Sequence, residues 1–266
     1  MISKKMLLDN TGKDISAKLK KMNYNLITYL KNDNNKSISE LISGNIQEFE
    51  DENIINIKQF LLAKCFEFTK VNLPKCTNVG DYAFYCCTAL LNVNLPECVD
   101  VGDSAFLYCE KLQNVNIPKC TIINQAAFSN CTALESIDLP KCTTVGDFAF
   151  NDCEKLSNVN LPECEGVGTR SFLRCTALSK IIFQKIERMA AEAFEDCSNL
   201  ETLIIKNDTR VCSMYRQGTT DALSGTKIES GNGYIYVPDK LVQQYKREYN
   251  WVKYANQIKP LSEYTE

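Results

Sequence analysis

Fourteen cysteines and no histidine set the chemical options of this 266-residue chain. Thiolates can ligate zinc, exchange disulfides or act as nucleophiles, and each use demands its own arrangement. A zinc site needs four ligands converging on a tetrahedron. The spacing here is of another kind. Cys76, Cys87, Cys98, Cys109, Cys120, Cys131, Cys142, Cys153, Cys164 and Cys175 follow one another at 11-residue intervals, and Cys197 lies 22 further on. Two interleaved series therefore share one 22-residue period. Side chains repeated that way stack in a line instead of converging, so the expectation is buried thiols acting as small hydrophobes with a weak donor. Disulfides between neighbouring coils are conceivable by distance, although their Cβ vectors would run parallel. No metal is expected.

Other catalytic material is thin. Without histidine the usual general base at neutral pH is missing. The recurring carboxylates Asp81, Asp103, Asp147, Glu97 and Glu163 sit a whole period apart at turn positions, which does not pair an acid with a base. Gly80, Gly102, Gly146 and Gly168 are single turn glycines, unlike a phosphate-binding loop. Neither catalytic residues nor a cofactor is expected, and the chain reads as non-enzymatic.

The elements that position these residues follow from the same period. Phe84, Phe106, Phe128, Phe150, Phe172 and Phe194 form one series; Leu90, Leu112, Leu134, Leu156, Leu178 and Leu200 a second; Val93, Val115, Ile137, Val159 and Ile181 a third; Pro74, Pro96, Pro118, Pro140 and Pro162 a fourth. A fixed period in this range marks stacked supersecondary units. Within one unit, Leu90-x-x-Val93-x-Leu95-Pro96-x-Cys98 alternates as a half-buried strand requires, and proline then ends the strand because it has no N–H for a ladder. Val101-Gly102-Asp103 reads as a turn, and Ala105-Phe106 closes the coil with an inward ring.

The order Cys-x-x-Leu-x-x-Val-x-Leu-Pro-x-Cys-x-x-Val-Gly-x-x-Ala-Phe, carried by Cys87, Leu90, Val93, Leu95, Pro96, Cys98, Val101, Gly102, Ala105 and Phe106, resembles the BspA-like, or Treponema-type, bacterial leucine-rich repeats. The segment from Gly231 to Tyr245, with Asn250-Trp251 and the stretch from Ile258 to Tyr264, looks like the closing module of such proteins. The resemblance implies surface recognition, adhesion or virion-associated roles and no catalytic residues. Two departures stand out: the last units lose the proline, and Ile186 replaces cysteine.

The expected fold is an α/β repeat solenoid, a leucine-rich repeat with one short parallel strand per 22-residue coil and helical end caps. Residues 1–50 would form the N-terminal cap, with Ile15, Leu19, Met22, Leu26 and Leu30 on one helical face and Ser37-Ile38-Ser39-Glu40 as a capping box. Residues 51–204 would carry the repeats, and residues 205–266 a degenerate last repeat and a C-terminal helical cap opened by Pro238 with Leu241 and Tyr245.

On the concave side of such a solenoid, the exposed strand positions are Asn72, Asn92, Asn94, Asn114, Asn116, Ser136, Asp138, Asn158, Asn160, Lys180 and Ile182. They are the candidate binding residues for a protein or glycan partner. Stacked asparagines can equally hydrogen-bond along their own column. At Ile182 and Ile204 the column turns apolar, either as a patch suited to a partner or, as expected here, beneath residues 207–233 folding back. A structural spacer is the alternative function, and a thiol-based redox or metal protein a distant third.

Charge narrows the partners. Between Asp51 and Ile204 there are 13 Lys and Arg against 20 Asp and Glu, a net of −7, while each flank is near +2. That field repels a phosphate backbone, so no nucleic acid is expected. No apolar run is long enough to span a bilayer, and the first residues lack the apolar core of a signal peptide. By sequence the chain reads as cytoplasmic or virion-associated; by resemblance, as cell-surface.

Overall fold

A computed structural model describes residues 48–59, 61–66, 68–217 and 220–265. The expected N-terminal helices lie outside the described residues. What is described is a stack of coils in which equivalent side chains share buried columns. Phe84, Phe106, Phe128, Phe150, Phe172 and Phe194 are all fully buried, their rings stacked at 4.9, 5.0, 5.5, 5.3 and 5.2 Å between successive centroids. Interplanar angles no larger than 13° keep the rings parallel. Leu90, Leu112, Leu134, Leu156, Leu178 and Leu200 are likewise fully buried. A single coil cannot enclose such residues; each is covered by the coil above and below.

Each repeat contributes two strands, not the single one expected. The first series is the longer: Glu48–Glu50, Lys70–Asn72, Asn92–Asn94, Asn114–Asn116, Ser136–Asp138, Asn158–Asn160, Lys180–Phe183 and Thr202–Ile205, continued by Tyr234–Val237 and Ile258–Pro260. The second is a parallel ladder of eight two-residue strands from Asn56–Ile57 to Ser213–Met214. It runs through Asp100–Val101, taking in the first residue of the turn expected at Val101-Gly102-Asp103. The reason is that Val79, Val101, Ile123, Val145, Val167 and Met189 all point inward, and residues paired at a 22-residue register complete each other's backbone hydrogen bonds. The turn begins one residue later. There Gly102 lies so close to the previous coil that a Cβ would sit 2.6 Å from Asp81 Oδ1 and 2.7 Å from Asp81 N. The Asp81 carboxylate accepts the backbone N–H of Asp103 at 3.0 Å, and Asp147 does the same for Thr169 at 2.7 Å. These repeating carboxylates hold turns.

Helix is scarce, so the α/β expectation is not met among the described residues. They contain one α-helix, Val242–Arg247, and three short 3-10 turns. The C-terminal segment does begin a helical turn after Pro238, with Leu241 and Tyr245 buried, but around it Tyr234–Val237 and Ile258–Pro260 add two more parallel strands to the long-strand sheet. The Tyr245 hydroxyl accepts the Cys212 N–H at 2.8 Å, Trp251 Nε1 donates to Cys212 O at 2.7 Å, and Tyr254 OH donates to the buried Asp221 carboxylate at 2.6 Å. Residues 207–233, within the segment expected as a degenerate last repeat, hold a further coil out of step: Met214 pairs with Met189, 25 positions earlier instead of 22, and Phe194 N donates to Ala222 O. Ile186, in the place of a cysteine, is fully buried, so the irregular repeats still close their core.

Candidate functional site

The thiols are structural in geometry. All fourteen are free. In one series Cys87, Cys109, Cys131, Cys153, Cys175 and Cys197 each donate to a carbonyl of the preceding coil, 25 residues back, at 3.0–3.3 Å. In the other, Cys76, Cys98, Cys120, Cys142 and Cys164 each donate to the carbonyl two residues ahead, at 3.1–3.4 Å. Burial pushes Cys142 up from its ordinary 9.0 to about 11, and Cys98 and Cys164 to about 12. A thiol that keeps its proton is a poor nucleophile and a poor ligand. Cys86, half-buried, is the exception to this shielding. A disulfide-exchange reagent added to the folded protein is therefore expected to label one thiol quickly and the other thirteen only at the rate of unfolding. Quick labelling of most thiols by the folded protein would contradict this packing.

Every one of the eleven predicted surface residues is exposed or half-buried on the long-strand face. Together with Lys70 they form two columns. Lys70, Asn92, Asn114, Ser136, Asn158 and Lys180 occupy one; Asn72, Asn94, Asn116, Asp138, Asn160 and Ile182 the other. Between them runs a buried or partly buried column from Val71 to Leu203.

The amides bond along the columns. Asn94 Nδ2 donates to Asn72 Oδ1 at 2.7 Å, Asn116 Nδ2 to Asn94 Oδ1 at 2.6 Å, and Asn114 Nδ2 to Asn92 Oδ1 at 2.8 Å. Asn160 Nδ2 donates to Asp138 Oδ1 at 2.7 Å. Such a side chain is held in one rotamer yet keeps a second N–H and a second lone pair.

The backbone ladder of this face is interrupted twice, between Asn114–Asn116 and Ser136–Asp138 and between Asn158–Asn160 and Lys180–Phe183. The middle residues bordering the two gaps, Val115 and Val159, are the partly exposed members of their column, whereas Val71, Val93, Ile137 and Ile181 stay buried. At the second gap the surface opens into a cleft of about 250 Å³. Four predicted residues, Asn158, Asn160, Lys180 and Ile182, line it. Ser157, Ser179 and Gln184 line it too, with Val159 and Pro162 of the repeat series, and none of these five is a predicted binding residue. The repeat marks no cleft, because the cleft arises where two strands part.

Beyond the cleft, Ile204 is fully buried and Ile182 half-buried. The contacts reaching this end of the face come from the C-terminal tail, and not from residues 207–233 as expected: the Lys180 ammonium donates to Tyr264 OH at 3.4 Å, and the Tyr264 ring lies edge-on to Tyr236 at 5.0 Å. No helix among the described residues is long and apolar enough to cross a membrane.

Comparison with known proteins agrees with this architecture. The family described as "BspA type Leucine rich repeat region" matches in six copies over residues 32–135 and 99–216, more than half of the chain. Among solved structures, the chain is similar to a leucine-rich cell surface protein from Faecalibacterium prausnitzii, with 27% identity and a TM-score of 0.56, over 66% of this chain and 53% of that one. The match thus spans about half the length of that protein. It is similar to the leucine-rich repeat protein of T. pallidum, with 27% identity and a TM-score of 0.51, over 56% of this chain and 72% of that one. A leucine-rich repeat protein from Bacteroides ovatus shares the fold at 21% identity and a TM-score of 0.52, over 81% of this chain and 61% of that one. No curated protein matches the chain.

Proposed function

The chain belongs to the BspA-type leucine-rich-repeat family, and from that premise we propose that it is a non-enzymatic recognition scaffold that binds a protein or glycan partner along its concave, long-strand face, at a bacterial surface or in a phage particle. Solenoids of this kind commonly use an extended face for partners. The observation that carries the reading is the pair of polar columns held in fixed rotamers by their own hydrogen bonds. A surface ordered before binding loses less entropy when a partner arrives. The likeness to a cell surface protein of F. prausnitzii supports the location.

The same bonds favour a second reading, a structural spacer, because a column that satisfies itself stabilises the stack without any ligand. Glycan and peptide arrays probed with the native protein separate the two. For a recognition scaffold, a ligand is found and Asn94→Lys plus Asn116→Lys reduces its binding at least tenfold while the protein remains folded at the assay temperature. Absence of any ligand on both arrays favours the spacer, and binding indifferent to the double variant places recognition on another face.

A further inference from the structure

We infer that the cleft between Asn158–Asn160 and Lys180–Phe183 is a subsite for one acidic sugar residue of a glycan; this rests on the recognition reading above. Three observations carry it. First, the amide column stops there. Asn160 donates to Asp138, but the next residue in its column is Ile182, which has no donor to offer back to Asn160 Oδ1. Asn160, the last amide of its column, thus lines the cleft beside the partly exposed apolar surface of Val159 and Ile182. A sugar ring presents just such a mixture, hydroxyl donors on the rim and C–H groups on the face.

Second, the cleft carries a cation and no carboxylate. Lys180 lines it, and the rest of its polar lining is serine hydroxyls and the amides of Asn158, Asn160 and Gln184. The other lysine of the same column, Lys70, is neutralised by Glu48 and Glu50 at 3.3 and 3.0 Å. Lys180 instead leans on a neutral phenol, that of Tyr264. In an array of net charge −7, a carboxylate-free cleft with one ammonium is a local inversion of sign, and selects a hydroxyl-rich ligand bearing one negative charge.

Third, the size fits. About 250 Å³ lies below the roughly 300–1,000 Å³ of pockets for drug-sized ligands, which suits one ring of a longer chain whose neighbouring units run along the open columns.

Titration of the full chain with N-acetylneuraminic acid, glucuronic acid and glucose, followed by saturation-transfer NMR, tests this. At least one acidic sugar is expected to bind at least tenfold more tightly than glucose, and which one binds identifies the type of acidic glycan. Lys180→Gln is expected to lower that affinity at least tenfold with an unchanged thermal midpoint. Ile182→Asn, which supplies the missing donor and continues the amide column, is expected to lower it with Lys180 intact. Equal binding of glucose, no binding of either acidic sugar, indifference to both variants, or displacement by an acidic peptide such as oligoglutamate each overturns the proposal. If array binding sensitive to Asn94→Lys plus Asn116→Lys persists while the acidic sugars fail, the subsite falls and the recognition scaffold stands.

Discussion

Raising the pH from about 8 to about 10.5 is expected to unfold the protein cooperatively, in the presence of reductant, through its buried thiols. Below the ordinary thiol value of 9.0, folded and unfolded chains both keep their S–H protons, and the packing energy of the thiol columns is intact. Above it the unfolded chain ionises, whereas burial holds Cys142 protonated to about 11 and Cys98 and Cys164 to about 12. Cys109, Cys120, Cys131, Cys153 and Cys175 are pushed up as well, with burial the largest cause in each. The folded pKa exceeds the unfolded one, so the stabilisation is complete below the unfolded value and is lost as the pH climbs toward the folded value. Each such thiol costs about 1.4 kcal/mol per pH unit in that window. Five of them over a unit and a half remove about 10 kcal/mol, comparable with the whole stability of a typical domain. Urea unfolding at a series of pH values checks the slope. Lysines and tyrosines titrate nearby, so the decisive comparison is Cys98→Ala and Cys142→Ala, each of which is expected to flatten the slope by about 1.4 kcal/mol per unit. A stability that is flat from about pH 8 to 10.5, or a slope unaltered in these variants, would show that the thiols are open to water.

Phe128→Ala is expected to destabilise the stack by about 5 kcal/mol, the upper end of the range for a buried phenylalanine. Phe128 is fully buried and stacks on both Phe106 and Phe150, so its loss leaves a cavity and removes two parallel ring contacts, each contributing about 0.5–1.5 kcal/mol. The position also matters. Repeat arrays fold through contacts between neighbours, and a gap in mid-array weakens the coupling between the coils before and after it. Equilibrium unfolding in urea is therefore expected to broaden, with two transitions or a lowered m value. By contrast Leu62, which holds the phenylalanine place in an early coil, has among the described residues a partner coil on one side, that of Phe84, and Leu62→Ala is expected to leave the transition single. A change below about 1 kcal/mol for Phe128→Ala would mean that the rings do not form a continuous core.

Much of this was legible from spacing. Because Phe106 and Phe128 are one period apart, the sequence implies that they touch, and they do, at 5.0 Å. The same reasoning set Asn94 over Asn72 on an open face. Spacing failed where a local segment had two acceptable conformations. Val101-Gly102-Asp103 looks like a turn, and only the ladder with Asn78–Val79 and Ile122–Ile123 makes Asp100–Val101 a strand. It failed again after Ile205, where insertions shift the register to Met214 and hide a further coil.

The sequence alone determined the stack: a strict 22-residue period of residues too large or too apolar to expose leaves one solution, each coil covering the next. Tertiary structure decided the site. Whether neighbouring strands stay bonded depends on the balance of many weak contacts between coils, which identical Asn-Val-Asn triplets at 92–94, 114–116 and 158–160 do not encode. The first of these pairs with the next coil, while the second and third border gaps. Where Tyr264 settles over Lys180 is likewise set 84 residues away along the chain, by the fold of the C-terminal strands, and a local pattern has no means of expressing it.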